Sequence, residues 1–257
     1  AKAGDFLSLD KFSIMGSMAQ PLYGRNDIPM RLKRQFIIFN CSMPKEREIN
    51  TIFGTIANNH FIMKNDFNRE IQEIMPEILD MTYELWSTSK IQKLPTPAKF
   101  FYQFSIRDLS RVWQSITQAH DDVFDDVKKF KDLWHHEMTR VIKDRFVDDE
   151  DRKWFDNTLK SLEEKYWGAS SSETEITHVN FMRDPPEPTG DEPDDFDFSP
   201  PKIYEPVPEL STLQDRIQMR LDEHDERSRD GKLRLVLFEQ AIKDVAKITR
   251  EIGRAHV

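Results

Sequence analysis

The 257-residue sequence predicts a mainly α-helical chain that opens on a short α/β remnant and is interrupted once by an acidic, proline-rich stretch. Apolar residues recur at spacings of three and four from Ile49 to Leu162, the pattern of helices that bury one stripe each. A wholly apolar run, Phe36-Ile37-Ile38-Phe39, stands just ahead of them, and eight of the fourteen prolines crowd between Pro185 and Pro208.

Residues 1–43 read as mixed structure. Phe12, Ile14, Met15 and Met18 predict a short buried strand, and Gln20–Pro29 is rich in turn formers. Pro29 suits a first helical position, which predicts a short helix over Met30–Gln35. Phe36–Phe39, bounded by Asn40 and Pro44, predicts a buried strand. Residues 44–167 predict five helices. The first carries Ile49, Ile52, Phe53 and Ile56. The second carries Ile71, Ile74, Ile78, Leu79, Leu85 and Trp86, with Pro76 starting or kinking it. The third carries Ile106, Leu109, Val112, Trp113 and Ile116; the fourth Val127, Phe130, Trp134, Met138, Val141 and Phe146; the fifth Trp154, Phe155, Leu159 and Leu162. Residues 168–208 predict a connector. From Asp184 to Asp197 it has seven acids and no base, too little apolar surface to offset chain entropy, so 184–200 is expected to be a disordered or loosely packed linker. Residues 209–252 predict two further helices, one through Leu213, Ile217 and Leu221 and one over Leu233–Ile252 with Leu237, Ala241, Val245 and Ile248, separated near Gly231.

Composition narrows the function. A formal charge of −9 argues against a general nucleic-acid binder. A lone cysteine, Cys41, rules out an internal disulfide framework and a Cys-rich metal site, and fits a reducing compartment. No uncharged run approaches the ~20 residues that span a bilayer, and no basic-then-apolar leader opens the chain, which argues against secretion. The first residue, Ala1, suggests a fragment. The eight glycines form neither a G-x-x-x-x-G-K-[ST] phosphate loop nor a G-x-G-x-x-G fingerprint.

Several residues invite chemistry. His135-His136-Glu137-Met138-Thr139-Arg140 approaches a helical zinc motif, but Arg140 stands where the second imidazole is needed. Both histidines are therefore expected on a helix surface, and no metal site is predicted. Cys41 has no nearby histidine to activate it and is expected to pack as a small hydrophobe. The pairs Asp121-Asp122, Asp125-Asp126 and Asp148-Asp149 are expected at helix starts, where they complement the dipole. Two arginine sites are more informative. Arg25 to Arg34 places cations in a turn and short helix before the apolar run. Arg107-Asp108-Leu109-Ser110-Arg111 places them near a helix start, where a cation opposes the dipole unless an anion compensates.

Taken together, Gly24-Arg25-Asn26-Asp27-Ile28-Pro29, Arg31-Leu32-Lys33-Arg34-Gln35-Phe36, Leu94-Pro95-Thr96-Pro97-Ala98-Lys99-Phe100, Phe104–Gln114, Arg140–Phe146 and Pro201-Lys202-Ile203-Tyr204-Glu205-Pro206 resemble the dynein heavy chain family of AAA+ motors. Their order is similar to the end of the third AAA+ module of an axonemal, outer-arm type chain running into the fourth. The resemblance implies a partial AAA+ module. Residues 1–43 would be the C-terminal part of its α/β large subdomain, 44–167 its helical lid, 168–208 a connector and 209–252 the start of the next module. Residues 253–257 leave the pattern and are expected to be an artefactual terminus.

The resemblance also implies roles. Gln20 matches a sensor-one position, Arg34 an arginine finger acting in trans, and Arg107 the sensor-two arginine of the lid, with Arg25 in the turn near nucleotide. The parent would use ATP/ADP with Mg²⁺, neighbouring AAA+ modules, intermediate and light chains and the microtubule, in the cytoplasm and cytoskeleton of a ciliary axoneme, with no nucleic-acid or membrane partner. Alone, lacking Walker A and Walker B, the fragment is expected to bind no cofactor and to be inactive. The alternatives are a non-enzymatic helical interaction module with an acidic tail, and a stand-alone AAA+ ATPase fragment unrelated to motility.

Overall fold

The computed structural model describes residues 11–18, 26–65, 67–168, 176–186, 198–227, 233 and 235–255. Two units of contact divide the chain, Ala1–Met43 and Pro44–Val257. Gln20, Arg25, Gly231 and the acidic run 187–197 lie outside the described residues.

In the first unit, α1 (Met30–Lys33) follows Pro29, and a turn takes the chain to Phe36. The ion pair Lys33–Asp27 at 2.7 Å pins this turn. Neither expected strand forms among the described residues. Phe12, Ile14, Met15 and Met18 are exposed, as are Phe36, Ile37, Ile38 and Phe39. A strand needs a neighbour for its backbone groups, and no other strand of this unit lies among the described residues. Cys41 is exposed as well, because the same stretch gives it nothing to pack on.

The second unit begins with five long helices: α2 (Glu46–Asn58), α3 (Arg69–Gln92), α4 (Ile106–Ile116), α5 (Val127–Val141) and α6 (Asp149–Trp167). One hydrophobic core joins them, from Ile49 and Phe53 through Ile71, Met81, Leu85, Trp113, Phe130, Trp134 and Phe155 to Leu162. A turn of π-helix, Asn59–Lys64, extends α2 and buries Phe61 against Phe67 and Phe130. Pro76 neither starts nor ends α3. That helix begins at Arg69, where the Asn68 side chain accepts from the Glu70 amide, and it runs through the proline. Burial of Ile71, Met75, Ile78 and Met81 on one face outweighs the single hydrogen bond the proline forfeits.

Side chains set the remaining helix ends. Asp126 accepts from the Lys128 amide at the start of α5, and Gly168 closes α6 in the left-handed region at φ 71°. Asp121-Asp122, by contrast, fall in a turn and start no helix. Asp151, in the first turn of α6, receives Lys93 Nζ at 2.7 Å, Lys99 Nζ at 2.6 Å and the Tyr102 hydroxyl at 2.7 Å. It thereby fastens the loop between α3 and α4. Burial opposes its ionisation, but these donors prevail and hold the carboxyl below its ordinary range.

The connector is not uniformly irregular. Thr177–Val179 (β1) pairs antiparallel with Glu205–Val207 (β2), His178 opposite Pro206. Two helices follow, α7 (Leu210–Arg227) and α8 (Glu239–Ala255). Their small core gathers Val179, Val207, Leu213, Ile242 and Ala246. Residues 233 and 235–238 are not helical, and the buried stripe of α8 is Ile242, Ala246 and Arg250, one position round from the expected Ala241 and Val245. The hairpin sets that rotation by packing on α8.

Leu159→Ala removes a fully packed side chain from the five-helix core. It should lower unfolding free energy by about 2–5 kcal/mol, read as a shift in urea midpoint at constant slope.

Candidate functional site

Two arginines of interest are described, and each stands free at the end of a short fixed segment. Arg34 caps α1 through its backbone, its amide donating to the Met30 carbonyl at 3.1 Å. Its side chain is exposed.

Arg107 is the second residue of α4. Ser105 is the N-cap, and the Asp108 carboxylate accepts its amide at 2.7 Å and its hydroxyl at 3.3 Å. The Trp86 indole N–H donates to the Ser105 carbonyl at 3.1 Å, and Arg145 Nη1 donates to the Gln103 carbonyl at 3.0 Å. Arg145 also ion-pairs the buried Asp108, with Arg111 at 3.9 Å on its other side. The turn is thus held from three directions. Arg107 itself is exposed and, among the described residues, makes no hydrogen bond or ion pair. Its neighbour Asp108 compensates the positive end of α4 and is engaged by capping and by Arg145, so among the described residues the Arg107 guanidinium has no carboxylate paired with it. Such a turn is a rigid mount for a cation that can accept an anion.

The electrostatic centre of the second unit lies elsewhere, on α5. Glu137 is 0% exposed, yet it is ionised. Burial would raise its pKa, but Arg140 and Arg250 prevail and hold it well below the carboxylate range. Arg140 donates to Glu137 Oε2 from Nη2 at 2.7 Å and from Nε at 3.1 Å, and the Tyr204 hydroxyl donates to Oε1 at 2.6 Å. Burial and the Glu137 charge push the Tyr204 hydroxyl up, so it stays a donor. Arg250 lays its guanidinium 3.9 Å from the centre of the Tyr204 ring. His136 and His178 lie beside them, ring centres 5.1 Å apart and tilted by 44°. His178 Nδ1 lies 3.2 Å from the Ile176 carbonyl, which can only accept, so that nitrogen carries the proton. His136 Nδ1, His178 Nε2, and Nε and Nη2 of Arg250 have no hydrogen-bond partner among the described residues.

The expected surface position of His136 is therefore wrong; His135 is half-buried and His136 buried. The α5 face that carries His136, Glu137 and Arg140 is covered by β1, Tyr204 and α8, segments far away in sequence. Among the residues that build this joint, only Tyr204 and Arg140 fell inside quoted motifs. Glu137 and His136 were visible only as parts of a failed zinc pattern, and Arg250 had no signal beyond a helical stripe.

The AAA+ lid domain family matches residues 78–176, which contain α4 and Arg107. Dynein axonemal heavy chain 5 of Rattus norvegicus is 39% identical over 256 residues, covering 98% of this chain. The chain is homologous to axonemal dynein heavy chains. Dynein axonemal heavy chain 8 of Homo sapiens is 39% identical over 254 residues. The dynein gamma chain of the flagellar outer arm of Chlamydomonas reinhardtii is 32% identical over 266 residues, covering 96% of this chain. The chain spans only 7%, 6% and 6% of the lengths of these three relatives. Its fold is that of a partial AAA+ module with its helical lid, as the dynein resemblance led one to expect.

Two outcomes test the joint. Glu137→Ala takes from Arg140 its buried carboxylate, leaving it only Glu251 and the Ser115 hydroxyl, and should cost about 3–5 kcal/mol, whereas Tyr204→Phe removes one donor and should cost about 1–3 kcal/mol; chemical denaturation of both variants distinguishes them. Acid should also loosen the joint. Burial holds His136 at about 3 and His178 at about 4, against 6.5 for a free imidazole. Because both folded values are depressed, the stability associated with neutral imidazoles is full above pH 6.5 and is lost as pH falls toward the folded values. By pH 5 the loss is about 2 kcal/mol per imidazole. Glu137 adds its own loss only below about pH 4.5. A urea midpoint unchanged between pH 7 and pH 5 would contradict this.

Proposed function

We propose that this chain is the nucleotide-sensing part of an AAA+ motor, with Arg107 as a phosphate contact of the lid. The observation that carries the reading is the free guanidinium of Arg107 at the start of α4, on a turn held by Trp86, Asp108 and Arg145, within the segment that matches the AAA+ lid. A phosphoryl oxygen would complete that turn by accepting from the free guanidinium.

In the parent, Arg107 would contact ATP or ADP held with Mg²⁺ by its own module. Arg34 would reach nucleotide of a neighbouring module as an arginine finger, stabilising charge on the transferred phosphoryl group. Gln20 would act as sensor one, and Arg25 as a nucleotide-side turn residue. The lid would move as a body when phosphates come and go. The relatives are named as axonemal and flagellar dynein chains. Their names support the proposal of a parent that works in a ciliary axoneme and drives minus-end-directed movement on microtubules in company with its intermediate and light chains. The chain has no phosphate-loop motif, so hydrolysis by these 257 residues alone is not part of the proposal.

Replacing Arg107 by Ala in the parent heavy chain tests the reading. Nucleotide affinity of that module should fall roughly 10- to 100-fold, the value of a charge-assisted hydrogen bond or two, while the urea midpoint of the 257-residue chain stays put. Unchanged affinity would leave the helical interaction module as the better account.

A further inference from the structure

From the last turn of α5 to the start of the next loop the chain reads Arg140-Val141-Ile142-Lys143-Asp144-Arg145, and Lys143–Arg145 form one turn of 3₁₀-helix. Its charged residues reach three different helices. Arg145 ion-pairs Asp108 in the first turn of α4. Asp144 pairs with Lys247 of α8 at 2.7 Å, and Lys143 with Asp156 of α6 at 2.7 Å. Arg140 donates to the Ser115 hydroxyl, at the far end of α4, at 3.2 Å, and ion-pairs Glu251 of α8. Both ends of α4 and two successive turns of α8 are thus tied to the same six residues.

Each exposed pair alone would contribute little. The arrangement differs because Asp108 and Arg140 are buried, and because three residues of one 3₁₀ turn cannot shift independently. A displacement of Asp144 carries Arg145 with it through the backbone. Val141 and Ile142 between them are buried in the core, which gives the segment a fixed base.

We infer that Arg140, Asp144 and Arg145 are positioning residues that lock the orientation of α4, and with it Arg107, to that of α8. The consequence for nucleotide sensing rests on the proposed role of Arg107; the mechanical linkage does not. In that role the segment would convert a change at the phosphate contact into a change at α8.

Hydrogen exchange of the 257-residue chain, followed by mass spectrometry, tests the linkage. Arg145→Gln removes the ion pair to α4 and the bond to the Gln103 carbonyl just ahead of it, but no contact to α8, yet it should speed exchange at least about threefold in both α4 and α8, the scale of a coupled pair. Exchange in the centre of α3 should stay unchanged. Lys247→Met cuts the other side, at a partly exposed side chain, and should speed exchange in both helices likewise; it decides the matter if Arg145→Gln does not fold. Faster exchange confined to the helix that lost its own partner overturns the inference. Arg107→Ala in the parent separates the two claims. If nucleotide affinity survives that change while the exchange of α4 and α8 remains coupled, the phosphate contact is wrong and the linkage stands. If affinity falls but exchange is uncoupled, the linkage alone is wrong.

Discussion

Glu137 is an ionised carboxylate removed from water, and the groups that tolerate it there come from separate parts of the chain. Arg140 is supplied by the next turn of the same helix, the Tyr204 hydroxyl by the connector, and Arg250 by α8. A buried charge without partners is strongly unfavourable. The five-helix bundle therefore cannot present this face of α5 comfortably unless the connector and α8 cover it. That single constraint ties the helical lid to the hairpin and to the helices beyond it, and gives the second unit two cores joined by one polar seam.

The same economy of charge governs the start of α4. Asp108 is buried, and both its oxygens are used: one caps Ser105 and the other meets Arg145. Because that carboxylate is committed to structure, Arg107 next to it is left free. The contrast between an engaged acid and an available base, one residue apart, is the feature on which the proposed phosphate contact rests. Arg34 has no comparable support; its turn is pinned by Lys33 and Asp27, and its own side chain is exposed.

The helices were legible because a stripe at three and four is a local property. Ile71, Ile78, Trp113, Phe130, Trp134 and Phe155 are buried as their spacing requires, whereas Ile52 and Ile56 of the first stripe are exposed, α2 turning Ile49, Phe53 and Ala57 inward. Strands were not legible in the same way. Phe36–Phe39 has the composition of a buried strand, yet a strand is defined by its neighbour, and the run is exposed here. The converse holds for Thr177–Val179 and Glu205–Val207, short segments of unremarkable composition that pair because Tyr204 and His178 are drawn onto α5. The α8 stripe shows the same lesson at finer grain: periodicity located a helix, but which face it buries was settled by what packs on it.

By itself the sequence determined the helical class, the position of the five helices between residues 44 and 167, the placement of Arg107 at a helix start and the kinship with dynein heavy chains. All of these are encoded in runs of neighbouring residues. Only the tertiary structure decided that His136 and Glu137 face inward, that Tyr204 and Arg250 close over them, and that Arg140 to Arg145 bind three helices at once. Each of those facts depends on contacts across roughly forty to more than a hundred residues of chain, and no local pattern records a distance of that kind.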